Sequence, residues 1–332
     1  MDYVQIGIVE PDHFSLKAQR MLARLGTVSR YTGDGLDRFL ADKQVLFVRL
    51  RHRVDKSFLD AAPRLRVLIS PTTGWNHLDS DELALRGIHL LSLRGERAFL
   101  DTVRATPEHI VGLTLALLRR YKDAFLGETN DAWDRDRYRG RELFANRVGL
   151  IGFGRIGSRL AGYFRAFGAN VSFYDPEPAV AAASGAKRAQ TLERLIARSD
   201  IVIVCAAHTA ANGGMIGKRQ LDAMAGKYLI NAARGELIDE VDLLAKLERG
   251  HFAGVALDVI ADETGDNRLE RLLALTRGNN LIVTPHIGGA TVESMEKTET
   301  FLAGKLAEWL AREPIGGAEA DPGDGQTNKE EA

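Results

Sequence analysis

The chain has very few of the residues that would build a disulfide framework or a membrane span. Its 332 residues include one cysteine, Cys205, which excludes an intrachain disulfide and a Cys-rich metal site, and we expect no bound metal. No apolar run is long enough to cross a bilayer. The formal net charge is only -1, which gives nucleic acid or an anionic membrane no overall electrostatic attraction.

The N-terminus also lacks the basic start and the apolar stretch of a secretory signal, so we expect a reducing, cytoplasmic location. Apolar residues make up 45% of the chain and charged residues 27%, which is the balance of a globular protein. A chain of this length is expected to form two domains.

Short apolar runs alternate with amphipathic stretches through the first hundred residues. Residues 4–9, 45–50, 67–69 and 88–93 have the pattern of buried strands, and residues 16–25 and 58–62 have helical spacing. This alternation predicts an α/β fold, in which a parallel sheet carries helices on both faces.

A second alternating segment begins at residue 148 and has the layout of a doubly wound dinucleotide-binding domain. Its predicted strands are residues 148–151, 171–174, 201–205, 228–231, 254–257 and 281–284. Residues 101–125 are predicted to form one long, largely buried helix, and residues 291–311 the last helix.

The two segments do not divide the chain into simple halves. We predict two doubly wound domains: a Rossmann domain at residues 100–290, inserted into a flavodoxin-like substrate domain. That substrate domain comprises residues 1–99 and a returning helix at residues 291–312. Residues 313–332 have almost nothing to bury and are predicted to be a disordered tail.

A glycine motif follows the first strand of the second segment and opens a helix. Gly152 permits a tight turn, Gly154 lets the backbone approach a pyrophosphate, and Gly157 allows close helix–strand packing. Alone, the motif could be an ordinary glycine-rich turn. Asp175, however, ends the next strand about twenty residues later, where an acid binds a ribose hydroxyl. No arginine or lysine follows it directly, which favours NAD over NADP as the cofactor.

Three polar residues follow three later strands of the same segment. Arg234, Glu263 and His286 could meet at one crevice, because ligands bind at the carboxyl ends of strands in a doubly wound sheet. A guanidinium binds a carboxylate through two hydrogen bonds. An imidazole can exchange a proton with an alkoxide, and a neighbouring carboxylate fixes its tautomer. Singly, each could instead be a surface arginine, a solvated acid and a core histidine.

The sequence around these residues resembles the D-isomer-specific 2-hydroxyacid dehydrogenases, which include phosphoglycerate dehydrogenases and glyoxylate reductases. The family's Asn-x-x-Arg-Gly block is similar to residues 231–235, and its Thr-Pro-His-Ile-Gly-Gly block to residues 284–289. Its Leu-Asp-Val-x-x-x-Glu-Pro block is similar to residues 257–264, although Thr264 replaces the proline. The resemblance covers about residues 45–310.

The resemblance implies a reaction and a set of contacts. Arg234 would hold the substrate carboxylate, His286 would be the acid/base, and Glu263 its partner, in NAD-dependent interconversion of a D-2-hydroxy acid and its 2-oxo acid. The resemblance implies further contacts with the cofactor, and we expect others beside them. Together these residues are Arg155, Ile156, Thr209, Ala232, Ala233, Asp258, Gly288 and Gly289. Thr73, Gly74 and Trp75 belong to a segment similar to the family's substrate loop. A homodimer formed through the long helix is also implied.

The identity of the acid is open. Arg49 and Arg51 follow a strand of the first segment and could bind a second anionic group such as a phosphate, or they could belong to a solvated basic loop. The loop at residues 91–102 is longer than in the family and adds Arg94, Glu96 and Arg97. An NAD-sensing scaffold with little turnover is the alternative function. Since the chain stops near residue 332, we expect no additional regulatory domain.

Overall fold

Residues 3–126, 135–180, 185–265 and 267–315 are described by the structure, which is a computed structural model. Two compact units share the chain: Met1–Glu96 with Met295–Ala332 form the first unit, and Arg97–Ser294 form the second unit. The predicted limits, residues 99 and 290, differ from these by a few residues. The predicted disordered tail lies outside the described residues from residue 316 onward.

The first unit contains a five-stranded parallel sheet in the order β2-β1-β3-β4-β5, which is the flavodoxin-like order. Its elements are β1 (Val4–Ile8), α1 (Leu16–Leu22), β2 (Gly26–Arg30), α2 (Leu36–Leu40), β3 (Val45–Phe47), α3 (Lys56–Asp60), β4 (Val67–Ser70), α4 (Ser80–Leu85) and β5 (His89–Ser92). The strands β3 and β4 are buried on both faces, as their continuous apolar runs predict. The side chains of Ser15, Asp55 and Asp79 cap α1, α3 and α4.

The second unit contains a seven-stranded parallel sheet in the order β12-β11-β10-β9-β6-β7-β8. Its elements are α5 (Arg97–Leu100), α6 (Ala105–Leu118), α7 (Tyr121–Leu126), β6 (Arg147–Ile151), α8 (Arg155–Ala166), β7 (Asn170–Tyr174), β8 (Lys187–Arg188), α9 (Leu192–Arg198), β9 (Ile201–Val204), α10 (Lys218–Asp222), β10 (Tyr228–Asn231), a 3-10 turn (Gly235–Leu237), α11 (Glu240–Leu247), β11 (Gly254–Leu257), α12 (Leu269–Leu275) and β12 (Leu281–Val283). The last helix, α13 (Val292–Arg312), leaves this unit and enters the first.

Successive residues along the strands of the second sheet pack into two different apolar clusters. Leu150 and Ile203 belong to one cluster, whereas Ile151 and Val202 belong to the other. Because successive side chains of a strand point to opposite faces, both faces of this sheet are covered. The order of its strands is that of a Rossmann domain, which confirms the predicted α/β fold class.

The prediction of one long helix at residues 101–125 is wrong in one respect. Arg120 has a φ of 53°, a left-handed backbone that ends α6 and separates it from α7. Two edge strands, β2 and β8, were not predicted, because neither has the continuous apolar run of a strand buried on both faces. Within the described part of the chain, no helix is long and apolar enough to cross a membrane.

Candidate active site

The three predicted chemical groups follow three adjacent strands of the second unit. Asn231, Leu257 and Val283 are in register across β10, β11 and β12, so these strands end at one level of the sheet. Arg234, Glu263 and His286 lie just beyond those ends. In a parallel sheet this edge is where ligands bind, and the second unit therefore presents these three side chains at one edge.

His286 and Glu263 form a short polar pair. The Nδ1 atom of His286 lies 2.6 Å from Oε2 of Glu263, and the two side chains are 23% and 30% exposed. If Nδ1 carries the proton donated to the carboxylate, Nε2 is the nitrogen left to exchange a proton with a substrate. The pair thus has the geometry of an oriented acid/base that solvent can still reach.

The backbone of His286 is strained and is held from beneath. Its φ is 53°, in the left-handed region that a histidine rarely adopts. The amide of His286 donates to the carbonyl oxygen of Asp258 at 2.8 Å. Strain of this kind persists only where neighbouring contacts over-determine it, and Asp258 supplies several such contacts.

The carboxylate of Asp258 is the anchor of this loop. It accepts hydrogen bonds from the Thr284 hydroxyl at 2.6 Å and from the Ile287 and Gly288 amides at 2.9 and 2.8 Å. His109 Nε2 on α6 lies 3.2 Å away. Both carboxylate oxygens are therefore engaged within the protein, which accounts for Asp258 without a cofactor; its contact with nicotinamide stays a prediction.

The charge on Asp258 is stabilised despite its burial. Burial by itself raises the pKa of the Asp258 carboxyl, but the hydrogen bonds from His109, Thr284 and the two loop amides outweigh it and lower the pKa below its ordinary value. Asp258 is therefore a permanent anion at neutral pH. The sequence alone assigned no role to Thr284 or to His109.

Arg234 is a half-buried cation with unused donors. Its Nη1 atom donates to the carbonyl oxygen of Ala233 at 2.6 Å, and no other bond of its guanidinium occurs among the described residues. Burial lowers the pKa of Arg234, while the charges of Glu263 and Glu236 act in the opposite direction. A guanidinium remains protonated at neutral pH, so Arg234 can receive an anionic ligand in exchange for water.

The loop that carries Glu263 is fixed by a second buried acid. Oε1 of Glu240, at the start of α11, accepts the Ala261 amide at 2.6 Å, and burial raises the pKa of Glu240. The next residue, Asp262, has a left-handed φ of 51°. The hydrogen bond between Ala261 and Glu240 lies three residues before Thr264, which stands where the similar family block has a proline. It holds this loop although the proline is replaced.

The glycine motif has the backbone that a dinucleotide needs. Gly152 has a φ of 91°, and a Cβ there would lie 2.6 Å from the Cα of Ala206. A Cβ on Gly157 would lie 2.4 Å from the carbonyl oxygen of Gly152. Asp175 Oδ2 accepts the Phe153 amide at 2.8 Å, which brings the predicted ribose acid against the glycine loop. The residues present therefore fit a bound dinucleotide.

The fold brings a cation near Asp175 that the local sequence does not show. Arg188 on β8 donates to the carbonyl oxygens of Asp175, Glu177 and Val180 at 2.8, 2.9 and 2.6 Å. Its guanidinium also lies 5.3 Å from the Phe173 ring centroid. Arg188 thus holds the turn after β7 through three N–H donors, each bound to a backbone carbonyl oxygen.

The other expected cofactor contacts are placed as follows. Arg155 opens α8 and donates to the Leu100 carbonyl oxygen at 3.3 Å, and burial lowers its pKa. Ile156 packs beside the core, and the Thr209 amide donates to Asn212 Oδ1 at 2.8 Å on an exposed loop. The remaining residues line the ends of β10 and β12: Ala232, Ala233, Gly288 and Gly289.

Arg49 of the arginine pair in the first unit is already occupied, which counts against the predicted anion site. Arg49 forms an ion pair with Glu299 of α13, whose side chain is 1% exposed, and donates to the Asp12 carbonyl oxygen at 2.9 Å. Arg51 lies 3.4 Å from Asp12 Oδ2, and its amide donates to Glu10 Oε1 at 2.7 Å. Glu299 therefore accounts for Arg49 without a ligand, whereas the side chain of Arg51 is 67% exposed and its role stays a prediction.

The predicted substrate loop of the first unit is only partly open. Thr73 is exposed, Gly74 accepts the Thr72 hydroxyl at 2.9 Å, and Trp75 is half-buried. The indole N–H of Trp75 donates to Ser92 Oγ at 3.2 Å. The hydrogen bonds of Thr72 and Trp75 therefore hold the conformation of this loop.

Comparison with known proteins agrees with the fold. Residues 111–288 match the family described as "D-isomer specific 2-hydroxyacid dehydrogenase, NAD binding domain". The chain is 33% identical over 306 residues to a D-3-phosphoglycerate dehydrogenase of Mycobacterium leprae, covering 89% of this chain and 56% of that protein. It is 32% identical over 283 residues to a glyoxylate reductase of Thermofilum pendens, covering 83% and 81%.

A solved structure shows the same architecture. The D-lactate dehydrogenase of Aquifex aeolicus, complexed with NAD and lactic acid, superposes with a TM-score of 0.79 at 26% identity, covering 93% of this chain and 96% of that one. The chain belongs to the D-isomer specific 2-hydroxyacid dehydrogenase family, and its second unit contains the family's NAD-binding domain. It spans little more than half the length of the D-3-phosphoglycerate dehydrogenases that it matches.

Proposed function

We propose that the protein is an NAD-dependent dehydrogenase that interconverts a D-2-hydroxy acid and its 2-oxo acid. The observation that carries this proposal is the 2.6 Å contact between His286 and Glu263, on the sheet edge that also presents Arg234. An oriented imidazole and a guanidinium with free donors are the two groups that this reaction requires from the protein. No described feature favours the scaffold alternative.

The chain's own residues would act as follows. Arg234 would bind the carboxylate of the 2-oxo acid through two hydrogen bonds and orient the adjacent carbonyl group. When bound, reduced nicotinamide supplies the hydride to carbon 2. His286 would give its Nε2 proton to the carbonyl oxygen as that oxygen gains negative charge, and Glu263 would stabilise the imidazolium beforehand. Reversal of the same transfers would oxidise the hydroxy acid.

We further propose that NAD is preferred over NADP. Asp175 Oδ1 accepts the Glu177 amide at 3.0 Å and Oδ2 the Phe153 amide, so the carboxylate is fixed at the glycine loop. A negative charge held there would accept a ribose hydroxyl and repel a phosphate. Arg188 keeps its positive charge at this turn, but three of its N–H donors are bound to carbonyl oxygens, and we expect the nearer Asp175 carboxylate to decide the preference.

A homodimer is the assembly that we propose. The second unit exposes large aromatic side chains: Phe125 is 80% exposed, Phe144 67% and Phe167 46%. Contiguous exposed apolar patches commonly mark a protein contact, and Phe125 lies in the segment 101–125, through which the resemblance implies dimerisation. Light scattering coupled to gel filtration should give twice the chain mass, and Phe144→Asp should shift the protein toward monomer.

The experiment that tests the proposed reaction is NADH oxidation across a panel of 2-oxo acids, followed at 340 nm with the purified protein. We expect turnover of at least one acid, formation of the D-hydroxy product, and loss of turnover in Arg234→Gln. Glu248→Gln, at an exposed pair with Arg271, is the matched control and should retain turnover. Absence of NADH and NADPH oxidation with every acid would refute the proposal.

A further inference from the structure

Glu240 is a buried acid of the second unit that the proposed reaction does not use. It begins α11, just after the turn that follows Arg234, and its side chain is only 4% exposed. An acid in the first turn of a helix is stabilised by the helix dipole without being buried. The burial of Glu240 therefore needs an explanation other than the helix that it begins.

One oxygen of Glu240 holds the loop that carries Glu263. Oε1 accepts the Ala261 amide at 2.6 Å, two residues before Glu263. On the other side of Glu263, the side-chain amide of Asn267 donates to the Glu263 carbonyl oxygen at 3.2 Å. Glu263 thus projects from a segment that is held on both sides, and the bond to Glu240 is the one that comes from another element.

The other oxygen of Glu240 is poorly satisfied. Oε2 is buried and makes no hydrogen bond with any of the described residues. Arg268 Nη1 lies 3.7 Å from it, on a side chain that is 45% exposed. A buried carboxylate with an unbonded oxygen costs free energy of folding. Overall stability is therefore a poor explanation for an acid at this position.

The turn after Arg234 lies directly against the same loop. A Cβ on Gly235 would overlap the carbonyl group of Ile260 and the amide nitrogen of Ala261. Only a glycine leaves room for two backbones to approach so closely. The loop of Glu263 is therefore located twice, by the turn that carries Arg234 and by the side chain of Glu240 from the helix that follows this turn.

We propose that Glu240 is a positioning residue, which holds the Ala261 amide so that Glu263 lies against His286 at a fixed separation from Arg234. This inference rests on the proposed dehydrogenase function. Glu240 would supply an acceptor of the required reach, and its charge would not be needed. Because Glu263 orients the acid/base and Arg234 binds the substrate carboxylate, this one hydrogen bond would help to align the two groups that act on the substrate.

Two substitutions separate the reach of Glu240 from its charge. Glu240→Asp keeps the charge but shortens the side chain by one methylene, so its carboxylate should no longer reach the Ala261 amide. Glu240→Gln keeps the length and a carbonyl acceptor but removes the charge. Since a displacement of about 1 Å can cost roughly 100-fold in rate, Glu240→Asp should lower kcat by about tenfold or more, and Glu240→Gln should retain most of it.

The Michaelis constant for NADH distinguishes positioning from a general loss of structure. It should stay near the wild-type value in Glu240→Asp, because the glycine motif follows β6, which is not a neighbour of β11 in the sheet. Glu248→Asp is the matched control: it shortens an exposed acid at the other end of α11 and should leave kcat and KM unchanged.

A double-variant cycle tests whether the effect passes through Glu263. In a Glu263→Ala background the imidazole of His286 has already lost its carboxylate, so Glu240→Asp should lower kcat by no more than about twofold further. A role in the fold at large would lower kcat by the same factor in both backgrounds. Amide hydrogen exchange over residues 259–265 follows the loop without turnover, and it should be faster in Glu240→Asp than in the wild type.

The outcomes separate this inference from the function beneath it. The inference is wrong, and the dehydrogenase proposal stands, if Glu240→Asp keeps the wild-type kcat, if Glu240→Gln loses as much as Glu240→Asp, or if the losses multiply in the double variant. Unchanged hydrogen exchange in Glu240→Asp would also contradict it. If the wild type reduces no 2-oxo acid at all, the proposed function fails and the inference fails with it.

Discussion

Each sheet of this protein has a buried carboxylate near its carboxyl edge, and the two are used differently. Asp258 in the second unit and Glu299 in the first unit both have side chains that are 1% exposed. Hydrogen bonds lower the pKa of Asp258, whereas burial raises the pKa of Glu299, and the Ser15 amide and Arg49 only partly oppose that rise.

The difference lies in what each carboxylate holds. Asp258 fixes the loop of His286 through hydrogen bonds with the Thr284 hydroxyl, the His109 imidazole and two loop amides. The imidazole of His286 itself stays accessible to solvent. Glu299 instead takes up the guanidinium of Arg49 and connects α13 to the loop after β3. A buried carboxylate with several hydrogen-bond donors around it can therefore position a reactive side chain, as Asp258 does. One with few donors can instead pair with a cation and make it unavailable to a ligand, as Glu299 does with Arg49.

The largest expected effect sharpens this contrast at His286. His286→Ala should lower kcat by roughly 10²–10⁴-fold, which is the usual range for general acid–base catalysis. Its side chain lies at the sheet edge and is 23% exposed, so the variant should lose some stability but remain folded at the assay temperature. Steady-state kinetics and thermal unfolding on the same preparation would test both statements. Turnover near the wild-type rate would contradict the assigned acid.

Asp258→Asn should affect both stability and activity. An amide NH₂ group in place of one carboxylate oxygen would face N–H donors, and leaving such donors unsatisfied costs about 1–3 kcal/mol. The His286 loop should loosen, which lowers kcat more than it changes KM for NADH. Chemical denaturation and kinetics measure the two effects. Glu299→Gln is the comparison, and it should affect stability without a comparable loss of kcat.

The two carboxylates should also give opposite pH dependences of stability. The pKa of Asp258 is lowered in the folded state, so its contribution is present above its ordinary value of 3.8 and is lost as pH falls through the folded pKa. The pKa of Glu299 is raised, so its contribution is present below its ordinary value of 4.5 and is lost as pH rises through the folded pKa.

The difference in melting temperature between wild type and each variant, measured from acid to neutral pH, checks these signs. The advantage of wild type over Asp258→Asn should shrink toward acid, and its advantage over Glu299→Gln should grow. Slopes of the same sign would show that the two sites do not differ as described.

Asp175→Ala should change cofactor choice more than reaction rate. Loss of the carboxylate removes the acceptor for a ribose hydroxyl and the repulsion of a phosphate, so the ratio of kcat/KM for NADH over NADPH should fall severalfold, mainly through KM for NADH. Asp175→Asn keeps the side-chain shape and is the matched control for the charge. An unchanged ratio in both variants would assign Asp175 to the turn alone.

The smallest effect concerns Cys205, whose pKa is raised to about 12 by burial. Thiolate is the reactive form, so the native protein should not react with Ellman's reagent at pH 8, and the denatured chain should release one equivalent. Reaction at full rate without denaturant would show that the strand end of β9 opens readily.

Much of the fold could be predicted because parallel strands buried on both faces are continuous apolar runs. The glycine motif, Arg234, Glu263 and His286 could be found because each follows such a run. Partners distant in the chain could not be found this way. Glu299 lies 250 positions from Arg49, and His109 lies 149 positions from Asp258.

That separation explains the weakest expectation. An Arg-x-Arg pair after a strand has the local pattern of an anion site, and nothing nearby in the sequence shows that Glu299, 250 positions later, pairs with Arg49.

In the reaction that we propose, hydride passes to carbon 2 of a 2-oxo acid on the face that gives a D-hydroxy acid, with His286 supplying the proton. NADH deuterated at carbon 4 of the nicotinamide, on the side that is transferred, tests this directly when the product is analysed by NMR and chiral chromatography. We expect the D-2-hydroxy acid with deuterium at carbon 2 from the wild type, and the same product formed roughly 10²–10⁴-fold more slowly by His286→Ala. An L product, or a D product without deuterium at that carbon, would contradict the account.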